Sequence, residues 1–156
     1  MNIAIANRQR ARKINSRRLK IITAALLADL KIREAELGIN LVAAREMTLI
    51  NETFLQHEGS TDVITFDHSP PEKRSPLHGE IFICVDEAVL QAGKFKTTWP
   101  SEIVRYLVHG VLHLLGHDDG HAAARRRMKR EENRLLHELS KKFSLAQIGG
   151  ASKLRA

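Results

Sequence analysis

Cysteine is nearly absent: Cys84 alone occurs in 156 residues. No intrachain disulfide can form, so the fold must rest on its own core, and a reducing compartment suits the chain. Long apolar runs are missing too. Nothing approaches the ~20 consecutive apolar residues of a membrane span, and the opening MNIAIANRQRARK holds too short an apolar run for a secretory signal. These absences point to a cytoplasmic protein with no membrane partner. Aromatics number seven (five Phe, one Tyr, one Trp), too few for the stacked-base platforms of general single-strand binders. Acid is outnumbered, with 18 Asp and Glu against 25 Lys and Arg, for a net charge of +7. Such an excess keeps a surface soluble and also favours polyanionic partners through counterion release. Of the four prolines, Pro70, Pro71 and Pro76 gather in one charged stretch, 67–77, which reads as a surface loop.

What is present is enough for one domain. A 43 % hydrophobic chain of this length can bury a sizeable core. Alternation or β-branched runs predict strands over 2–6, 38–44, 61–66 and 79–85, the last apolar enough for burial on both faces, with Cys84 as a small core residue. Helical spacing predicts helices over 15–33, 48–55, 86–96, from an N-cap at Ser101 to Gly116, and over 121–143. The expectation is an α+β single domain over 1–143, a four-stranded mixed sheet packed with five helices, and a disordered tail over 144–156.

The chain is organised around residues 102–121, EIVRYLVHGVLHLLGHDDGH. His109 and His113, four apart, project from one helical face. The residues around them are apolar, so the helix reads as a core element with one polar stripe. Gly116 can end the helix in a left-handed conformation and turn the chain back, bringing Asp118, Asp119 and His121 towards the pair. Two imidazoles and a third ligand leave a position open for water, as in catalytic zinc sites. The spacing parallels the metzincin pattern, with Gly110 where a peptidase has its glutamate base and Asp119 where it has its third histidine. His121 is the rival third ligand, two residues late in register. Glu102, two turns before His109, serves either as a partner behind the ligands or simply at the helix N-terminus.

The run His109-Gly110-Val111-Leu112-His113-Leu114-Leu115-Gly116-His117-Asp118-Asp119 resembles the signature of the YbeY family of zinc-dependent endoribonucleases that mature bacterial rRNA. Thr61-Asp62-Val63-Ile64-Thr65-Phe66, preceded by Ile50-Asn51, and Gly79-Glu80-Ile81 are similar to two further blocks of that family. The resemblance implies a small sheet around a central helix, with one Zn²⁺ on His109, His113 and Asp119. It implies a single-strand-specific endoribonuclease acting at the 3′ end of 16S rRNA, with rRNA, the small ribosomal subunit and ribosomal proteins as partners. Three positions depart from the pattern. Asp119 replaces the third histidine, His117 replaces a tyrosine, and Leu55 replaces an arginine linked to RNA cleavage. His117 is the candidate general base within sequence reach, or else fills the tyrosine's packing position. Lys73, Arg74 and Arg105 are the candidate phosphate contacts. Two other readings stand beside the nuclease: a non-catalytic, zinc-stabilised ribosome-assembly factor, which Leu55 favours, and a metallopeptidase, which Gly110 disfavours.

Overall fold

The computed structural model describes residues 1–55, 59–72, 76–117 and 119–150. In chain order the elements are β1 (Asn2–Asn7), α1 (Ser16–Asp29), β2 (Ala35–Val42), α2 (Ala44–Phe54), β3 (Val63–Asp67), β4 (Leu77–Cys84), α3 (Val85–Phe95), α4 (Trp99–Leu114) and α5 (Ala122–Lys142), then a 3-10 turn (Leu145–Gly149). The expected α+β domain with a four-stranded mixed sheet and five helices is what the described residues form. The sheet order is β1-β2-β4-β3. β1, β2 and β4 run parallel, with Ile3 opposite Leu37 and Ile39 opposite Ile81, while β3 pairs antiparallel to β4 with Thr65 opposite Ile81.

Odd-numbered strand residues such as Leu37, Ile39, Ile81 and Ile83 share the main core with α1, α4 and α5. The other face carries a smaller cluster of Val42, Met47, Ile50, Ile64 and Cys84 under α2. β4 is therefore not buried on both faces as its composition suggested. It alternates: Leu77, Gly79, Ile81 and Ile83 are buried, His78 is exposed, and Glu80 and Phe82 are half-buried. Period two, rather than average hydrophobicity, carried the correct information.

Boundaries moved where tertiary capping overrode local signals. α2 begins at Ala44, four residues earlier than its own sequence indicates, because the Asp86 carboxylate accepts a 2.6 Å hydrogen bond from the Ala44 N–H across the fold. α4 begins at Trp99 rather than after Ser101. The Thr98 hydroxyl caps it by accepting from the Ser101 N–H (3.3 Å), and Pro100 sits in the first turn, where its missing N–H costs nothing. The disorder expected from residue 144 is not what residues 145–149 show. Leu145–Gly149 folds as a 3-10 turn, Ile148 is fully buried, and its carbonyl accepts from the Asn15 N–H at 2.7 Å. Residues 151–156 lie outside the described residues.

α4 is the central helix, packed against α3, α5, β3, β4 and the 3-10 turn. Ile103, Val104, Leu107, Val108, Val111, Leu112 and Leu114 are all buried, each stabilising the fold by about 1.5–3 kcal/mol on a transfer scale. Beyond Trp99 its incompletely buried residues are Ser101, Arg105, His109 and His113, spaced by four along one stripe. Gly110 lets the helix lie flush on β4, since a Cβ there would come within 2.9 Å of Ile81 Cγ2 and 3.0 Å of its Cδ1. A valine at 110 should therefore overpack this contact and destabilise the fold by about 2–3 kcal/mol. Urea melts of Gly110→Val, Ile81→Ala and the double variant test this. The two substitutions should be strongly non-additive, the smaller residue 81 recovering part of the loss.

Candidate metal centre

Two local devices bring the donors together. The first is the i,i+4 spacing of His109 and His113 on the polar stripe of α4. The second is the helix end. Gly116 takes φ +97°, its N–H donates to His113 O (2.9 Å), and the His117 N–H donates to Leu112 O (3.0 Å). This is a Schellman termination, and it reverses the chain so that Asp119 returns over the histidines.

The two Nε2 atoms lie 3.0 Å apart, and Asp119 Oδ2 is 3.5 Å from His113 Nε2 and 4.0 Å from His109 Nε2. Tetrahedral bonds of ~2.0–2.1 Å require donors about 3.3 Å apart, so these separations bracket what a zinc-sized ion needs. His109, His113 and Asp119 are the group among the described residues whose donor atoms all fall within 4.8 Å of one another. The donor set fits the ion in chemistry as well as spacing. The Asp119 side chain is 46 % exposed, so one side of the trio stays open to solvent, as a catalytic site requires and a closed structural site does not.

Behind His109 stands Glu132, a residue that sequence reading missed. Its side chain is 7 % exposed, its Oε2 meets His109 Nδ1 in a short contact, and its Oε1 accepts from Arg105 Nη1 at 3.5 Å. A carboxylate at Nδ1 fixes the proton there and leaves the Nε2 lone pair facing Asp119 and His113, the tautomer that a metal ligand needs. A signal for it was available. Glu132 falls on the packing stripe of α5, four residues after Met128 and three before Leu135, where an ordinary helix would bury another apolar side chain.

Burial pushes His109 towards neutrality. The hydrogen bond and charge of Glu132, with Asp62 and Asp119, outweigh that, and its pKa lies above the ordinary 6.5. In the metal-free chain this pair therefore stabilises the fold fully below about pH 6.5, and the contribution is lost as pH rises through the folded value.

The other candidates fall elsewhere. His121 is exposed and caps α5, its Nδ1 accepting from the Ala124 N–H at 3.3 Å. With His117 and Arg127 it lines a separate small depression, so neither histidine joins the trio. Glu102 is buried in the first turn of α4 and accepts from Thr97 Oγ1 at 2.8 Å, which makes it a helix-start residue. Asp118, Lys73 and Arg74 lie outside the described residues. Leu55, at the C-cap of α2, is 40 % exposed. Arg105 is held by Glu132 and by Asn133 Oδ1 (3.0 Å).

A cleft of about 820 Å³ opens beside the trio, with His109 and Asp119 on its wall and Glu132 behind them. Its floor includes Tyr106, and its rim carries Arg125, Arg126 and Lys129 from α5.

Metal retention should carry two signatures of Glu132. In a chelator-competition titration at pH 8, Glu132→Gln should bind zinc about 10–100-fold more weakly, the usual effect of losing a carboxylate behind a ligating histidine. In acid the sign reverses. The native chain should shed a bound divalent ion as His109 protonates through its raised range, whereas the variant, without the carboxylate that raises it, should begin its decline at lower pH. Equal affinity at pH 8 and an unchanged acid limb would sink the role given to Glu132.

Comparison with known proteins adds a history to this geometry. A family model described as "Endoribonuclease YbeY" matches residues 4–140. The chain is 36 % identical over 135 residues to an "Endoribonuclease YbeY" of Anaeromyxobacter sp. (strain Fw109-5), covering 86 % of this chain and 70 % of that relative. It is 34 % identical over 146 residues to the protein of that name from Syntrophotalea carbinolica, covering 90 % and 97 %. The solution structure of a Thermotoga maritima protein shares the fold with a TM-score of 0.68 at 21 % identity, over 99 % of both chains.

Proposed function

The chain belongs to the YbeY endoribonuclease family, and from that premise we propose that it is a Zn²⁺-dependent, single-strand-specific endoribonuclease that matures the 3′ end of 16S rRNA. The observation that carries this reading is the solvent-open His109–His113–Asp119 trio at the wall of a cleft with a cationic rim. His109 and His113 supply neutral imidazole nitrogens, and Asp119 supplies a carboxylate oxygen. When bound, the ion supplies a water of pKa ~7 and polarises a phosphate oxygen. Glu132 holds His109 in the ligating tautomer, and Arg105 neutralises Glu132 from behind.

The metallopeptidase reading loses its main requirement. A glutamate in the metzincin register would stand at 110, and the Cβ of that position faces Ile81 in the core, away from the open stripe. The elements that build the trio and its cleft lie within residues 1–143, and the 3-10 turn that follows packs onto them through Ile148. Cytoplasmic rRNA and the small ribosomal subunit, with its proteins, are the partners this reading requires. No helix of the described residues is long and apolar enough to cross a membrane.

The test is a precursor 16S rRNA fragment carrying its 3′ end, incubated with the purified chain beside an identically prepared His113→Ala protein. Cleavage by the native chain should fall at least about 100-fold in the variant, the size of effect expected for losing the group that activates water. Metal analysis of the same preparations should find zinc in the native chain and little in the variant. Equal cleavage by both proteins would exclude the metal-centred mechanism. No cleavage by either, with ribosome co-sedimentation retained, would establish the assembly-factor reading instead, and iron in place of zinc would overturn the metal assignment.

A further inference from the structure

Leu55 takes the place of the cation that the family resemblance leads one to expect, and no residue of α2 borders the cleft. A phosphodiester placed at the trio must find its positive partners elsewhere. α5 has an unusual distribution of charge. Its acidic residues beyond the buried Glu132 serve one flank: Glu131 pairs with Arg134 at 2.7 Å and Glu138 with Lys141 at 3.3 Å. Arg125, Arg126 and Lys129 lie on the other flank, at the rim of the cleft. Among the described residues they form no ion pair with a carboxylate; Arg125 instead donates to Asp119 O at 3.3 Å, on the loop that carries the third donor.

Helix stability does not account for these three cations. Arg125 and Lys129 are i,i+4, as are Arg126 and Arg130, and each like-charge pair destabilises the helix. The arginines also stand in the first turns of α5, where the helix dipole is already positive, and no acidic residue occurs in that first turn. A flank that opposes its own helix twice over is arranged for an external anion.

A second observation points into the same cleft. Tyr106 is 5 % exposed and borders it, yet its hydroxyl has no hydrogen-bond partner among the described residues. A buried hydroxyl left unpaired is unfavourable unless something binds it. Burial, then the carboxylates of Asp62 and Glu102, hold its proton on, so it stands as a donor. The exposed ring of Phe95 on the same cleft gives a base a surface to lie on.

Resting on the endoribonuclease reading, we propose that the first two turns of α5 are the phosphate rail of this cleft. Arg125, Arg126 and Lys129 hold successive phosphates of single-stranded RNA, and the Tyr106 hydroxyl meets a polar group of the nucleotide beside His109 and Asp119. The rail supplies affinity without sequence preference, and the hydroxyl supplies a directional contact.

The experiment is fluorescence anisotropy of a short unstructured RNA with the full chain in chelator, where cleavage cannot interfere. The logarithm of affinity is followed against the logarithm of salt between about 50 and 200 mM. Each lost phosphate contact on a single strand removes ~0.7 from the slope, so R125Q/R126Q/K129Q should lose about 2 from it and bind at least tenfold more weakly. The charge-matched control R10Q/K13Q/K20Q, on the connector and α1, should keep the native slope. Equal losses in both would show a bulk-charge effect and overturn the rail, as would a native slope in the α5 variant. Tyr106→Phe should weaken binding about fivefold while its thermal midpoint holds or rises, because a buried unpaired hydroxyl is gone. A lowered midpoint with native affinity would assign that hydroxyl to the fold instead. If the native chain binds no RNA at all, the endoribonuclease reading fails first and the rail falls with it. Native binding with unaltered variants defeats the rail alone.

Discussion

The contact between α4 and β4 governs the rest of the molecule. α4 is apolar around most of its circumference, and such a helix is stable only when surrounded. Gly110 lets it approach the sheet closely over Ile81. Once that face is seated, the stripe Ser101-Arg105-His109-His113 is left looking outward. The histidines are therefore oriented by the hydrophobic effect acting on the opposite face, and the metal donors need no strain of their own to converge. The left-handed Gly116 completes the geometry at the cost of a single turn.

α5 is tied to this scaffold by packing and by one polar link. Leu135, Leu139 and Met128 are buried in the main core, and Glu132 sits in the same stripe as a charged exception. A buried carboxylate without partners would be strongly unfavourable. Here it has two, His109 and Arg105, so its desolvation is offset by charge-assisted contacts that also fix the ring of a donor. Removing one partner leaves the others exposed to that unfavourable burial, so the link couples the seating of α5 to the state of His109.

The sequence made the fold class, the strand count and the central helix legible because each rests on periodicity. The histidine pair, the stop at Gly116 and Asp119 were legible for a related reason: their geometry is local, set within a dozen residues. What could not be read depended on contacts between distant segments. The capping of α2 by Asp86 spans 42 residues and moved a boundary that local propensity had placed later. Glu132 lies 23 residues from His109, in a helix whose many charged side chains masked one buried acid. His121 was a reasonable rival ligand by chemistry. The backbone at the start of α5 uses it as a cap, and a ring nitrogen accepting from an N–H is not free to bind elsewhere.

Asp119 also alters the electrostatics of the centre. Two neutral imidazoles and one carboxylate would leave a divalent ion with a net charge of +1, where three histidines would leave +2. The weaker positive field attracts a phosphodiester less and polarises it less. Asp62 adds negative charge close by. A cleft with this interior would repel a polyanion unless cations were placed where the chain of phosphates must pass. The rim of α5 has that position and that sign. The loss of one cation at residue 55 and the excess of cations on one flank of α5 are then two sides of the same electrostatic requirement.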